Sequence, residues 1–266
     1  MELGELWGYE VEGLFRDYED IANHATQDFL QARDAVTRPG QVKFADRDKS
    51  NFIDYGNLTL ADHGDFLIVG NKSPRYRYGV NLSASWNGIG LSMFFQGVGK
   101  RDWYPGNDAS YFWGKYDRPF LYFLPKIHAM DLPTVCQLSE DGSECLNPDT
   151  AYWPRITSYQ SDGYAGKRYP LAIPNTRYIQ NAAFVRLKNI QLDYTFGQKV
   201  CKAIGVSSLK IFINGENLFA YTPMWKWAPN IDPETAGYGD SDYNDVIDGN
   251  SYPMLKTVTL GLNLKF

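Results

Sequence analysis

The chain has 266 residues, of which 44% are hydrophobic and 21% are charged, and its formal net charge is −5 at pH 7. This length accommodates one large domain or two small ones. No segment approaches the roughly 18 uninterrupted apolar residues of a membrane helix, so a helical membrane protein is excluded, and the acidic balance disfavours nucleic acid as a partner. The 15 Phe, 19 Tyr, 7 Trp, 24 Gly and 14 Pro favour strands and long loops.

Residues 1–76 are predicted to be a loop-rich region. The first residues, Met1 to Tyr9, contain neither a basic segment nor an apolar core, and are therefore not a secretory signal. Taken literally, this predicts a cytoplasmic protein, or a chain whose true beginning is missing.

One segment of this region resembles half of a calcium-binding loop. Oxygen-bearing side chains fall at its ligand positions, with Asp46, Asp48, Ser50 and Asp54 in register. Asn51 replaces the loop glycine, and Asn57 stands where a bidentate glutamate would be needed. A structural turn is therefore the favoured interpretation, and a weak structural calcium site formed by Asp46, Asp48 and Asp54 is the alternative.

Residues 77–98 predict a β-hairpin. The even positions from Tyr78 to Trp86 are apolar or aromatic, whereas the odd positions are polar or small. Asn87-Gly88 follows, which is the strongest two-residue hairpin signal. The apolar face then continues on Ile89, Leu91, Met93 and Phe95.

Residues 99–180 form a predicted long loop that is rich in aromatic side chains. Aromatic rings serve sugars as flat platforms. The candidate substrate-binding residues are Trp103, Tyr104, Tyr111, Trp113, Tyr116, Tyr152 and Trp153. The alternative is that these rings pack the loops against each other or form an interfacial girdle at the strand ends.

The three cysteines predict one disulfide. Cys136 and Cys145 are nine residues apart in the same loop, so in an oxidising environment they are expected to close it with a disulfide. Cys201 is expected to be unpaired, and no zinc spacing is present.

Residues 181–266 predict three further strands. Along Phe184–Phe196 the apolar positions change from odd to even, which indicates a β-bulge near Lys188-Asn189. Two short strands joined at a kink are the alternative. A second strand is predicted at 208–221, and the last runs from Met254 to Phe266.

The loop at 222–252 separates these last two strands. Trp225 and Trp227 are predicted to serve in a girdle or in loop packing. Its acidic residues, for which a solvated surface is the favoured interpretation and cation binding a minor alternative, are Asp240, Asp242, Asp245 and Asp248.

Strand and loop lengths favour an outer-membrane barrel. The predicted strands have about 9–14 residues, longer than the usual globular strand, and a tilted membrane strand needs about 9–11. Short turns alternate with long loops, as in barrels whose short turns face the periplasm. Alternation alone does not separate such a barrel from a soluble sandwich of two sheets.

Several segments resemble the SusC/RagA-type TonB-linked outer-membrane transporters. The likeness is carried near the C-terminal end by residues 184–194, 208–219 and 252–266, the last ending in Thr259-Leu-Gly-Leu-Asn-Leu-Lys-Phe266. Upstream, matching segments follow in the same order at 7–15, 39–44, 68–79, 94–97 and 151–155. The resemblance covers about residues 7 to 266.

The resemblance implies an all-β fold, in which these antiparallel strands are the incomplete C-terminal part of a larger transmembrane barrel with long extracellular loops. Barrels of this kind have about 22 strands, and the five predicted here are too few to close. The lumen wall would contain the polar residues Asn81, Ser83, Ser92, Gln96, Thr257, Thr259 and Asn263. The family's plug domain and TonB-contacting segment have no counterpart in this sequence.

The resemblance also implies a function and partners. We expect import of oligosaccharides, or alternatively peptides, across the outer membrane. The expected partners are a SusD-like surface lipoprotein lid, outer-membrane lipid, and the TonB complex acting through the missing plug.

Two other functions remain open, a secreted β-sandwich that binds carbohydrate and, less favoured, an accessory domain of a glycoside hydrolase. Enzyme chemistry itself finds no support, because His24, His63 and His128 are isolated and no nucleophile elbow or phosphate loop is present.

Overall fold

The computed structural model describes residues 2–30, 36–106, 109–116, 126–129, 132–158, 170–236 and 252–266. The strands are β1 (Glu5–Gly8), β2 (Val11–Leu14), β3 (Val42–Phe44), β4 (Leu67–Asn71), β5 (Arg75–Trp86), β6 (Ile89–Lys100), β7 (Asp102–Trp103), β8 (Gln180–Asn181), β9 (Phe184–Thr195), β10 (Ser208–Tyr221) and β11 (Thr257–Lys265). The α-helices are α1 (Tyr18–Ala22), α2 (Ser110–Trp113) and α3 (Gln198–Ala203), and short 3₁₀ turns lie at Asp28–Leu30, Gly114–Tyr116, Lys126–His128 and Pro223–Lys226. Within these ranges, every helix is too short or too polar to cross a membrane.

The chain divides into two compact units. The first unit comprises residues 1–73, 102–180 and 225–251, and the second comprises residues 74–101, 181–224 and 252–266. The second unit contains the five long strands, and the first contains most of the short strands and the long connections. The units are therefore interleaved along the chain, because each long loop leaves the sheet and the chain then returns to it.

The long strands form one antiparallel sheet in the order β11-β10-β9-β6-β5. Strands β5, β6 and β9 have 12 residues each, β10 has 14 and β11 has 9. Three two-stranded sheets pair β1 with β4, β2 with β3 and β7 with β8. The antiparallel, all-β class predicted from alternation is confirmed.

A tight turn joins β5 to β6 at Asn87-Gly88, as predicted. Trp86 pairs with Ile89 across the turn, and Asn87 and Gly88 have φ angles of 48° and 86°. Two consecutive positive φ angles define a type I′ turn, which matches the right-handed twist of the flanking strands.

Strand β9 contains the predicted bulge. Phe94 pairs with Asn189, but the next residue, Phe95, pairs with Leu187, so Lys188 is the extra residue. On the other side of β9, the register of β10 also shifts between Glu216 and Phe219. The bulge reverses the orientation of every later side chain of β9, which explains the change of phase in the sequence.

Candidate functional site

One face of the five-stranded sheet is apolar across all five strands, and we call it the apolar face. Cross-strand partners lie on the same face, so the pairing gives rows that run across the sheet. The central rows are Val80–Phe95–Leu187–Phe219, Leu82–Met93–Ile190–Gly215–Val258 and Ala84–Leu91–Leu192–Ile213–Leu260. Many of these side chains, including Leu82, Leu192 and Leu260, are exposed in this chain. A contiguous apolar surface of this extent marks a contact with lipid or protein.

Aromatic residues border the apolar face at both ends. The rows at its two ends are Tyr78–Gly97–Val185–Tyr221 and Trp86–Ile89–Tyr194–Ile211–Leu262. Along β10, the two border rows lie at Ile211 and Tyr221, which are eight regular spacings apart once the two residues of the register shift are left out, or about 26 Å. At a tilt of about 40° this part of the strand would rise about 20 Å, which is comparable to the apolar band of about 25 Å between the aromatic girdles of outer-membrane barrels.

The opposite face, which we call the polar face, carries hydrogen-bonding side chains. Its rows include Asn81–Phe94–Asn189–Glu216–Thr257 and Ser83–Ser92–Gln191–Asn214–Thr259. Gln96 pairs with Gly79, and Asn263 pairs with Lys210, so all seven polar residues predicted for a lumen wall share this face. Lys210 also forms an ion pair of 2.9 Å with Asp193.

Two phenylalanines on the polar face lie over glycines of the neighbouring strand. A Cβ atom built on Gly261 would lie 2.1 Å from Cζ of Phe212, and one built on Gly79 would lie 3.1 Å from Cε2 of Phe94. These glycines let the rings lie flat against the sheet. The wall therefore stays thin and mostly polar although it contains two large apolar side chains.

The sandwich alternative requires a second sheet packed on the apolar face. Within the described residues of the second unit, the five long strands form a single sheet. The arrangement of this unit supports a barrel wall and gives the sandwich no facing layer.

Aromatic side chains form the core of the first unit, and Trp153 lies at its centre. The Trp153 ring contacts His128 at 4.1 Å and Phe112 at 5.2 Å between centroids. Five of the predicted substrate-binding residues are buried in this unit, namely Trp103, Tyr104, Trp113, Tyr116 and Trp153. A buried ring has no free face for a sugar, so these five pack the loops, which is the alternative that the sequence left open.

Hydrogen bonds fix the buried tyrosines in this core. The Tyr104 hydroxyl donates to the Leu171 carbonyl at 2.7 Å, and the Tyr116 hydroxyl donates to the Pro154 carbonyl at 2.7 Å. Burial raises the pKa of both hydroxyls well above the ordinary value of 10. They therefore remain neutral donors at any physiological pH.

Tyr111 and Tyr152 differ from the five buried rings. Tyr111 is 51% exposed, so its prediction as a substrate contact stays open.

Tyr152 is half-buried and stacks on Trp227 with centroids 3.8 Å apart and planes 6° apart. Burial raises the pKa of Tyr152 to about 12, although the hydrogen bond that its hydroxyl accepts from Gln180 opposes the shift. Trp227 thus serves in loop packing, one of its two predicted roles.

The predicted calcium ligands are only partly brought together. Acidic oxygen atoms of Asp46, Asp48 and Asp65 lie within 4.8 Å of one another. Asp54 is not part of this set, and its side chain instead accepts a hydrogen bond from the Gly56 N–H at 2.7 Å.

Asp65 was missed because it lies outside the calcium-loop pattern. Its carboxylate is buried and accepts backbone N–H groups of Arg47 and Asp54 at 2.6 and 2.9 Å. The donor set has the carboxylate oxygens that calcium prefers, but the amide of Asn57, at the glutamate position, is bonded to Asp62. Calcium binding stays a prediction.

The structure joins Cys136 to Cys145 in a disulfide, with their Cα atoms 6.0 Å apart. Cys201 is buried and unpaired, as the sequence predicts. The acidic residues at 240, 242, 245 and 248 lie outside the described residues.

Comparison with known proteins finds relatives of one kind. The chain is 24% identical over 270 residues to TonB-dependent receptor P3 of Formosa agariphila, covering 99% of this chain and 22% of that protein. It is 22% identical to TonB-dependent receptor P26 of the same organism, covering 76% of this chain and 18% of the relative. The chain is therefore similar in sequence to proteins named TonB-dependent receptors. It spans about a fifth of the length of these curated relatives, neither of which is named as an enzyme.

The fold is also similar to that of a solved transporter. A solved structure of the RagAB peptide transporter matches with a TM-score of 0.56 and 17% identity, covering 98% of this chain and 22% of that one. No family model matches the chain. The antiparallel sheet therefore resembles part of the fold of that transporter.

Proposed function

We propose that this chain forms five strands of the barrel, with their loops, of an outer-membrane TonB-dependent transporter. The observation that carries the proposal is the division of the sheet into an apolar face with aromatic borders and a polar face. The apolar face would contact acyl chains, and the polar face would line the lumen. The remaining strands and the plug would come from the rest of a longer protein.

The polar face would serve as a wall for a plug and for hydrated cargo. Ser83, Gln191 and Thr259 offer uncharged hydrogen-bonding groups in one row, so a moving polar partner would exchange hydrogen bonds without separating buried charges. Energy would enter through TonB acting on the plug, and no bond would be made or broken in the cargo.

The first candidate cargo is an oligosaccharide, and the second is a peptide. The oligosaccharide depends on aromatic platforms, for which Tyr111 is the exposed candidate in the first unit. The peptide is favoured by the likeness in fold to a peptide transporter. In either case, we propose a surface lipoprotein lid as the partner of the long loops, as the resemblance to SusC/RagA-type transporters implies.

Uptake by cells that carry the full-length receptor tests this function. Labelled oligosaccharides and labelled peptides are supplied separately to cells with and without the receptor gene. One cargo class should enter only when both the receptor and TonB are present. Entry that is independent of both, or a receptor found outside the outer membrane, would contradict the proposal.

A variant separates cargo contact from folding. Tyr111→Ala should weaken uptake of an oligosaccharide several-fold without lowering the amount of receptor in the membrane. The matched control is Tyr18→Ala, since Tyr18 is another exposed tyrosine of the first unit, with 53% exposure. Equal uptake by both variants would remove Tyr111 from the cargo site.

A further inference from the structure

The connection between β9 and β10 combines exposed apolar and basic side chains. It contains the short helix α3, in which Val200 is 46% exposed, and Ile204, the residue that follows the helix, is 54% exposed. These two residues are four positions apart, so they share one side of the helical turn. Lys199 and Lys202 are exposed beside them.

This connection lies at the same end of the sheet as the β5–β6 turn. The Thr195 N–H donates to the Gly88 carbonyl at 2.7 Å, directly beside that turn. Trp86 and Tyr194 belong to the aromatic row that borders the apolar face at this end. Helix α3 therefore begins just beyond the edge of the apolar face.

The helix is held in a fixed orientation. The Cys201 side chain is buried, with Sγ 3.5 Å from the Phe196 carbonyl oxygen, and the Val206 N–H donates to the Cys201 carbonyl at 3.0 Å. Gly205 has a φ of 72°, which ends the helix in the left-handed conformation that glycine favours. Val200 and Ile204 are therefore held at the surface of this connection together with Lys199 and Lys202.

The charge at this end of the sheet is positive. The connection from 196 to 207 contains no Asp or Glu. The Lys265 carbonyl accepts a hydrogen bond from the Ser207 N–H at 2.7 Å, so a third lysine lies beside the connection. The carboxylate of Asp193 is already paired with Lys210.

We propose that α3 binds anionic phospholipid in the membrane leaflet on the short-turn side. Lys199 and Lys202 pair with headgroup phosphates, and Val200 and Ile204 enter the boundary of the acyl chains. Continuity with the apolar face and the positive charge favour this occupant over a soluble protein. The inference rests on the proposed location in the outer membrane, where short turns face the periplasmic leaflet, and is independent of the cargo.

Retention of lipid by the full-length receptor tests the inference. The receptor is purified in detergent with an equimolar mixture of phosphatidylglycerol and phosphatidylethanolamine, and the lipids that remain bound are counted by native mass spectrometry. The wild type should retain phosphatidylglycerol preferentially. Lys199→Gln combined with Lys202→Gln should lower this preference by up to about thirtyfold, since each lysine near an anionic surface contributes about fivefold. High salt should also reduce it.

The matched control is Lys100→Gln combined with Lys256→Gln. Both lysines are exposed, and they lie at the opposite end of the sheet, beside the ends of β6 and β11. This variant should leave the preference unchanged. A second variant, Val200→Ser with Ile204→Ser, should release phosphatidylglycerol without any change in charge.

Membrane insertion is verified for each variant by its heat-modifiable migration in gels. A wild type that does not insert would overturn the proposed function and this inference with it. An inserted wild type without a preference for phosphatidylglycerol, or a lysine variant with an unchanged preference, would overturn only the lipid site. A photo-crosslinker at position 204 should label lipid, and labelling of a periplasmic protein instead would also overturn the site.

Discussion

The rings of Tyr152 and Trp227 stack face to face, with centroids 3.8 Å apart and planes 6° apart. Arg177 lies over Tyr152 at 5.9 Å, and Lys226 lies over Trp227 at 5.0 Å. The stack joins two segments that are 75 positions apart in the sequence. The Trp227 ring is therefore contacted by both Tyr152 and Lys226 within the first unit.

Removing the Trp227 ring should loosen the first unit. We expect Trp227→Ala to lower the free energy of unfolding of this unit by about 2 kcal/mol, below the range for a fully buried tryptophan because Trp227 is half-buried. Tyr18→Ala, at an exposed site, should change it by less than about 0.5 kcal/mol. Thermal unfolding followed by near-ultraviolet circular dichroism measures both. A loss no larger than that of Tyr18→Ala would show that the stack contributes nothing.

Acid should destabilise the first unit through His128. Burial beside Trp153 lowers the pKa of His128 from 6.5 to about 3. As the pH falls below 6.5, His128 therefore takes up a proton in the unfolded chain but stays neutral in the folded chain. The free energy of unfolding consequently decreases with falling pH until about pH 3. His128→Phe should flatten this dependence, whereas His24→Gln should retain it. Melting temperatures recorded between about pH 7 and about pH 4 provide the comparison.

The type I′ turn should require glycine at its second position. A Cβ atom on Gly88 would lie 2.6 Å from the Thr195 carbonyl oxygen, and its φ is 86°. Gly88→Ala should therefore cost about 1–2 kcal/mol of stability. Gly197→Ala is the control, because Gly197 has a φ of −68° and no neighbour within 4 Å of its Cβ position. Urea unfolding of the refolded barrel in micelles should separate the two variants, and equal midpoints would contradict the argument.

Asp65 should organise the loop that contains Asp46 and Asp48. Asp65→Asn replaces one acceptor oxygen by a donor and leaves a backbone N–H unpaired, at a cost of about 1–3 kcal/mol. Asp149→Asn is a control, since Asp149 forms an exposed ion pair with Arg16 at 3.0 Å and should contribute less than about 1 kcal/mol. Proteolysis of the 46–65 segment should be faster in Asp65→Asn alone. Equal rates would assign the order of this loop to other contacts.

The features that could be predicted are those that appear in the alternation of apolar and polar residues or in the residues of a turn. The bulge at Lys188 was found because one extra residue reverses the alternation. The register shift of β10 at Asn217 and Leu218 was missed because two extra residues preserve it. The strands and the Asn87-Gly88 turn were also predicted, since local pattern and turn chemistry specify them.

Contacts between residues far apart in the sequence produce no local pattern of this kind, so they could not be predicted. The sequence shows that Trp153 and Tyr152 are aromatic, but not that the first is buried beside His128 and the second stacks on Trp227. Likewise, Asp65 joins Asp46 only because the chain folds back between them. Burial and long-range pairing depend on tertiary packing. Aromatic loop residues that look alike in the sequence can therefore lie either in the core or at the surface.

The most direct test of the account compares two adjacent residues of β9, Gln191 on the polar face and Leu192 on the apolar face. Each is replaced by cysteine in the full-length receptor, Gln191→Cys or Leu192→Cys, and spin-labelled in a lipid bilayer. The account predicts that the label at 192 collides with lipid-soluble oxygen, whereas the label at 191 collides with a water-soluble nickel complex or is shielded by the plug. Labels that report the same environment at both positions, or a label at 192 that neither reagent reaches, would contradict the assignment of the apolar face to lipid.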